Sequence, residues 1–164
     1  MPPGKDEFRA VMGRFATGVT IVSTRLGDEL HGMTANAVTA VSLEPPLVLV
    51  CIDKAADSHD IVDASGVFAL SILGRGQYAL SRQFATKENP ASHRLEGVPH
   101  HSRASGAPVI DGSLAYLDCR IVGRYPGGDH TIFVGEVIDA GRLDDGEPLV
   151  FYEGRYGGLG DGGS

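Results

Sequence analysis

The stretch from Ala115 to Ile138 constrains the fold more than any other. Ala115, Leu117, Cys119, Ile121 and Gly123 alternate with Tyr116, Asp118, Arg120 and Arg124, and a period of two marks a strand with one buried face and one wet face. Pro126-Gly127-Gly128-Asp129 then supplies a turn, and His130 to Ile138 continues as a second strand. Strands joined by so short a turn pair antiparallel, because a parallel pair needs a long crossover.

The rest of the chain is cut into short elements. Phe8, Val11, Met12 and Phe15 fall on one face of a helix, with Asp6 and Glu7 in its first turn, which predicts a short docking helix. Strands are expected at Val19 to Thr24, Thr34 to Leu43, Leu47 to Ile52, Val67 to Leu73 and Leu149 to Tyr152. Pro45-Pro46 cannot donate to a ladder and must lie between strands or at an edge. Asp57-Ser58 reads as the N-cap of a short helix ending by Gly66, and Gln77 to Ala85 as a further helix. Thr86 to Pro108 lacks periodicity and reads as a long loop. About seven strands against two or three short helices predict a mainly β chain whose sheet closes into a barrel.

With 164 residues, 42% of them hydrophobic and 21% charged, one globular domain is expected over residues 1–159, with a flexible Gly-rich tail at 160–164. The net charge of -7 argues against nucleic acid and anionic membrane as partners, since both attract excess Lys and Arg. Cys51 and Cys119 sit in apolar runs without CxxC spacing, as buried thiols in a reducing compartment would. No apolar run is long enough to span a bilayer and the N-terminus has no h-region, so a cytoplasmic location is expected.

Several motifs lead nowhere. Gly74-Arg75-Gly76-Gln77-Tyr78-Ala79 has the GxGxxA form of a dinucleotide fingerprint, yet it lacks the parallel βαβ context that form requires. His93, His100 and His101 share one loop without metal-ligand spacing and read as solvent-exposed, so no metal is expected. GxSxG and P-loop signatures are missing. Two features keep their interest: the strand 34–43, studded with Thr34, Asn36, Thr39 and Ser42, and Gly128-Asp129-His130 at the hairpin mouth. Taken singly, a wet strand face explains the first as well as a ligand does, and surface decoration explains the second.

Together with their neighbours they carry a resemblance. FATGVTIVST (Phe15 to Thr24), GMTANAVTAVSLEPPLVLVCI (Gly32 to Ile52), the Ser58 to Phe68 stretch, GDHTIFVGEV (Gly128 to Val137) and FYEGRYGGL at the C-terminus resemble, in register over roughly residues 8–159, the flavin reductase domain family. The resemblance implies a split β-barrel with Greek-key topology, built as a homodimer. It further implies an NADH-dependent oxidoreductase, with NADPH less favoured, that passes a hydride to FAD, or alternatively FMN, and supplies free reduced flavin to a partner flavin-dependent monooxygenase. The flavin-contacting positions of the family fall here on Thr34, Ala35, Asn36, Ala37, Thr39, Cys51 and Asp53. Ser58 matches a position that helps hold flavin phosphate, Phe84 a flavin-lining site, and His130 and Tyr156 positions near the nicotinamide; His130 is the candidate catalytic group. Two alternatives stay open: a split-barrel protein that keeps flavin as a tight prosthetic group and reduces another substrate, and a non-catalytic flavin-binding module.

Overall fold

The computed structural model describes residues 1–87 and 89–160. At its centre lies a seven-stranded antiparallel sheet, ordered β3-β2-β6-β9-β10-β5-β4. Its members are β2 (Thr20–Leu26), β3 (Glu29–Ala35), β4 (Val38–Leu43), β5 (Pro46–Asp53), β6 (Val67–Ile72), β9 (Ala115–Gly127) and β10 (His130–Arg142). The spine is the hairpin expected from the alternation: β9 and β10 pair from Gly127 and His130 down to Ala115 and Arg142. Their turn uses Gly128 at a φ of 65°, where a side chain would be strained.

The sheet rolls around a core that includes Val22, Val50, Ile52, Phe68, Leu70, Cys119 and Phe133. Its edge strands, β3 and β4, are consecutive in the chain and joined only by Asn36 and Ala37, so the barrel is split along that seam. Helix α2 (Asp57–Ser65) carries the chain from β5 to β6 and adds Val62 to the core. A second cluster, including Val19, Ile21, Leu73, Phe84 and Leu149, packs under α3 (Tyr78–Ala85) and a small sheet of β1 (Thr17–Gly18), β11 (Val150–Tyr152) and β12 (Arg155–Gly157). Helix α1 (Lys5–Met12) precedes β1. Antiparallel pairing throughout removes the dinucleotide reading of Gly74, which instead opens a single turn held by Gln77 Oε1 accepting from the Gly74 N–H at 2.9 Å.

The structure corrects several expectations. The run 34–43 is not one strand: Asn36-Ala37 passes from one edge of the sheet to the other, so Thr34 and Thr39 belong to different strands. The loop 86–108 contains a helical turn at Pro90–His93 and β7 (His100–Ser102), which pairs with β8 (Pro108–Ile110). Asp57-Ser58 is not an N-cap; Ala56 holds that position and makes no side-chain capping bond. His93 is buried rather than solvent-exposed, against the buried His31, with ring centroids 5.3 Å apart.

On β9 the wet face is covered near its start. Tyr116 and Asp118 are buried because the segment before β8 folds over them, with Ser105 giving Asp118 its backbone N–H at 2.8 Å and its hydroxyl. Of the two thiols, Cys119 is buried and Cys51 only partly so. Burial raises the pKa of both, that of Cys119 to about 12, which keeps them protonated. At Gly135, β10 shifts register and lies so close to its neighbours that a Cβ would meet Phe68 Cζ at 2.6 Å and Cys119 Cβ at 2.8 Å. Among the described residues no helix is long and apolar enough to cross a membrane. Of the expected tail at 160–164, residues 161–164 lie outside the described residues.

Candidate active site at the barrel seam

Strand alternation sorts β5 into two faces. Val48, Val50 and Ile52 point into the core, leaving Leu49, Cys51 and Asp53 on the outer face. The register of β10 places Val134, Ile132 and His130 directly beside them, and β4 places Thr39 beside Leu49. This half-covered outer face leads to the seam. There Asn36, Ala37 and Thr39 meet β1 and the apolar side chains Phe8, Met12 and Phe15 around a cleft of about 740 Å³, which also reaches Leu49 and Cys51.

Asn36 is the point of convergence. It lines the large cleft, a hollow of about 140 Å³ shared with Thr34, Ala35, Ser81 and Tyr156, and a third of about 410 Å³ against α1 and Phe151. Its side chain is exposed and, among the described residues, donates only a long bond, 3.3 Å, to Thr17 Oγ1. The small residues Ala35 and Ala37 on either side keep the backbone approachable. The second hollow is rigidly framed: Thr34 Oγ1 donates to the Ser81 carbonyl at 2.6 Å, and the Ser81 and Tyr156 hydroxyls lie 2.7 Å apart.

His130 stands further along the outer face, directly opposite Asp53. Its Nδ1 is hydrogen-bonded to Asp129 Oδ1 at 2.7 Å. That bond first, and the neighbouring His130 ring second, lower the Asp129 pKa, so the carboxylate stays ionised and orients the ring, and Nε2 has no hydrogen bond among the described residues. Asp53 Oδ1 accepts from the Ala55 N–H and so shapes the turn into α2. Close by, Asp53, Ala56, Asp57, Lys87 and His93 surround a hollow of about 120 Å³ at the start of α2.

The seam brings together a polar strand edge and a framed tyrosine, with an oriented histidine further along the same face. Residues 12–160 match the family described as flavin reductase like domain. The chain belongs to that family. Among curated proteins, the flavin reductase is 45% identical over 157 residues, 94% of this chain and 86% of the other, to an NADH-dependent FAD reductase of Streptomyces globisporus. It is 40% identical over 152 residues, 93% of this chain and 95% of the other, to the reductase component of a 4-hydroxyphenylacetate 3-monooxygenase of Thermus thermophilus. Among solved structures, the NADH:FAD oxidoreductase SgcE6 of S. globisporus C-1027, in complex with NAD and FAD fragments, superposes with a TM-score of 0.91 at 42% identity, covering 100% of this chain and 98% of that one. The flavin reductase PheA2 gives 0.88 at 40% identity over 97% and 100% of the two chains. The barrel described above is the split barrel of these flavin reductases.

Not every site residue read from the sequence reaches a hollow. Asn36, Ala37, Thr39 and Cys51 line the main cleft, Thr34, Ala35 and Tyr156 the adjoining hollow, and Asp53 the hollow by α2. His130 lines none of these hollows, and Ser58 and Phe84 offer no surface. The Ser58 hydroxyl turns inward onto His31 Nδ1 at 2.9 Å, and the Phe84 ring is buried against Gly32, whose Cβ, if present, would lie 3.1 Å from it. The reading also missed lining residues. Phe8, Met12 and Phe15 read as a docking face, yet all three line the cleft; a face exposed for a partner and one framing a ligand have the same 3.6-residue signature.

Proposed function

We propose that this flavin reductase transfers a hydride from NADH to FAD and releases the reduced flavin to a separate monooxygenase, FMN being the alternative acceptor and NADPH the weaker donor. The observation that carries the reading is the convergence of three hollows on Asn36 at the seam, with His130 placed along the same outer face. A cleft of about 740 Å³, mostly apolar with a few polar groups, has the size and character of a cofactor site. The chemistry supplied by the two bound cofactors is hydride transfer from nicotinamide C4 to flavin N5.

This chain's residues contribute placement. Asn36 and the backbone around Ala35, Ala37 and Thr39 meet the polar rim of the isoalloxazine, while Leu49 and Cys51 floor it. Lys87 and the first amides of α2 meet the phosphate end, and Ser58 serves there through the turn it occupies rather than its hydroxyl. His130, oriented by Asp129, positions the nicotinamide, and Tyr156 closes the other side. NADH consumption measured in parallel with FAD, FMN and riboflavin tests the reading. Oxidation that requires added flavin, with FAD preferred, is the expected result; a protein that carries its own flavin and needs none added supports the prosthetic-group alternative, and absence of turnover supports the binding module.

The same reading makes the protein a homodimer. Phe8, Val11, Met12 and Phe15 are 57%, 64%, 49% and 70% exposed in the single chain, too much apolar surface on α1 and the bend that follows it to face water. Tyr125, Ile132 and Cys51 form a row across the outer face that a second copy would cover. Val11 does not line the cleft, so Val11→Asp separates assembly from ligand contact. Sedimentation should find a dimer for the parent chain and a monomer for Val11→Asp; a parent chain that sediments as a monomer refutes the dimer.

A further inference from the structure

A second histidine lies near the hairpin mouth and belongs to none of the hollows. His59, in the first turn of α2, reaches across the barrel end to β10: its Nε2 is 2.7 Å from Thr131 Oγ1, its Nδ1 is 2.8 Å from Asp60 Oδ1, and its ring rests on Phe133 with centroids 5.5 Å apart. Thr131 directly precedes Ile132 and follows His130, and it lies opposite Ile52 on the inner face of the sheet. The other strand of the hairpin is tied to the same helix, with Arg124 Nε on Asp63 Oδ1 at 2.5 Å.

The helix itself is anchored elsewhere. Val62 is buried in the core, Ser58 is bonded to His31, and Ser65 Oγ lies 2.6 Å from Thr24 Oγ1. The tip of the hairpin, by contrast, has β5 as its neighbour on one side only, through the pair His130 and Asp53 and the Lys54 N–H donating to the Asp129 carbonyl at 2.9 Å. The ladders to β5 and β9 fix the end of β10 within the sheet, and the bond from the fixed helix sets how far that end leans toward α2.

We propose that His59 is a positioning residue: through Thr131 it holds the end of β10 against α2 and so fixes where His130 stands over the outer face. Asp60, by bonding Nδ1, selects the ring edge that faces Thr131. The inference rests on the placement of His130 at the nicotinamide proposed above. Loss of the link lets the hairpin mouth lean away from α2 and leaves the seam and the separately anchored start of α2, where flavin is held, untouched.

Thr131→Val keeps the side-chain shape and removes the hydroxyl, so it tests the link without the risk to folding that His59→Ala carries. The expected result is an NADH KM raised roughly fivefold, the loss of one hydrogen bond, with the FAD dissociation constant unchanged and the KM restored in Thr131→Ser. An unchanged NADH KM with a lowered melting temperature overturns the proposal, because a merely structural bond moves stability alone. An equal shift in FAD affinity overturns it too, since the link would then act on the helix. His130→Ala, measured alongside, tells the two readings apart. If it raises the NADH KM and Thr131→Val does not, only the role of His59 falls; if it changes nothing, the placement of His130 and the role of His59 fall together.

Discussion

Asn36→Leu is expected to lower flavin affinity at least about tenfold while leaving the melting temperature where it was. Leucine has the same branching and number of side-chain heavy atoms but neither donor nor acceptor, and it would put a bulkier apolar group where three hollows meet. A polar ligand edge left without its partner there costs about 1–3 kcal/mol, and about 1.4 kcal/mol is a factor of ten. The fold should not notice, because Asn36 is exposed and its one described side-chain bond, to Thr17, is long at 3.3 Å. Titration of flavin fluorescence beside a thermal melt separates the two effects. Full flavin affinity in the leucine variant would remove the seam as the flavin site.

The second large effect is on stability. Gly135→Ala is expected to cost about 2–3 kcal/mol, since the added methyl would stand 2.6 Å from Phe68 and 2.8 Å from Cys119, both fully buried. Neither neighbour can yield easily: Phe68 lies on β6 and Cys119 on β9, each paired on both sides. A urea melt should show a lower midpoint with an unchanged slope. A midpoint equal to that of the parent chain would mean that the core relaxes around the methyl.

How much of this was legible depended on the range of the interactions involved. The hairpin could be read because alternation is a local signal that survives in any tertiary setting. Its buried Asp118 could not, since the covering group, Ser105, sits in a segment without periodicity. The strand 34–43 read as continuous because nothing in Thr34 to Leu43 announces a change of sheet edge; that Asn36 and Ala37 span the split is a property of closure, set by the pairing of β3 with β2 and of β4 with β5. The same limit explains Ser58: its place in the helix was readable, whereas the inward turn of its hydroxyl depends on His31, 27 positions away. His31 itself gave no local sign of burial, yet burial first and the neighbouring His93 second lower its pKa, so it is neutral at neutral pH.

The seam has a consequence for how such a site can change over time. A strand at the edge of a sheet presents a row of amides and carbonyls whose identity does not depend on the side chain attached. A ligand that docks along β3, β4 and the two residues between them can therefore be gripped by the main chain, and mutation cannot delete a peptide group. Thr39, whose hydroxyl is occupied with the carbonyl of Ala40 at 3.3 Å, could drift to other small residues at little cost in binding, whereas a swap for bulk would be punished at once. The constraint at the barrel's opening is on size before it is on chemistry.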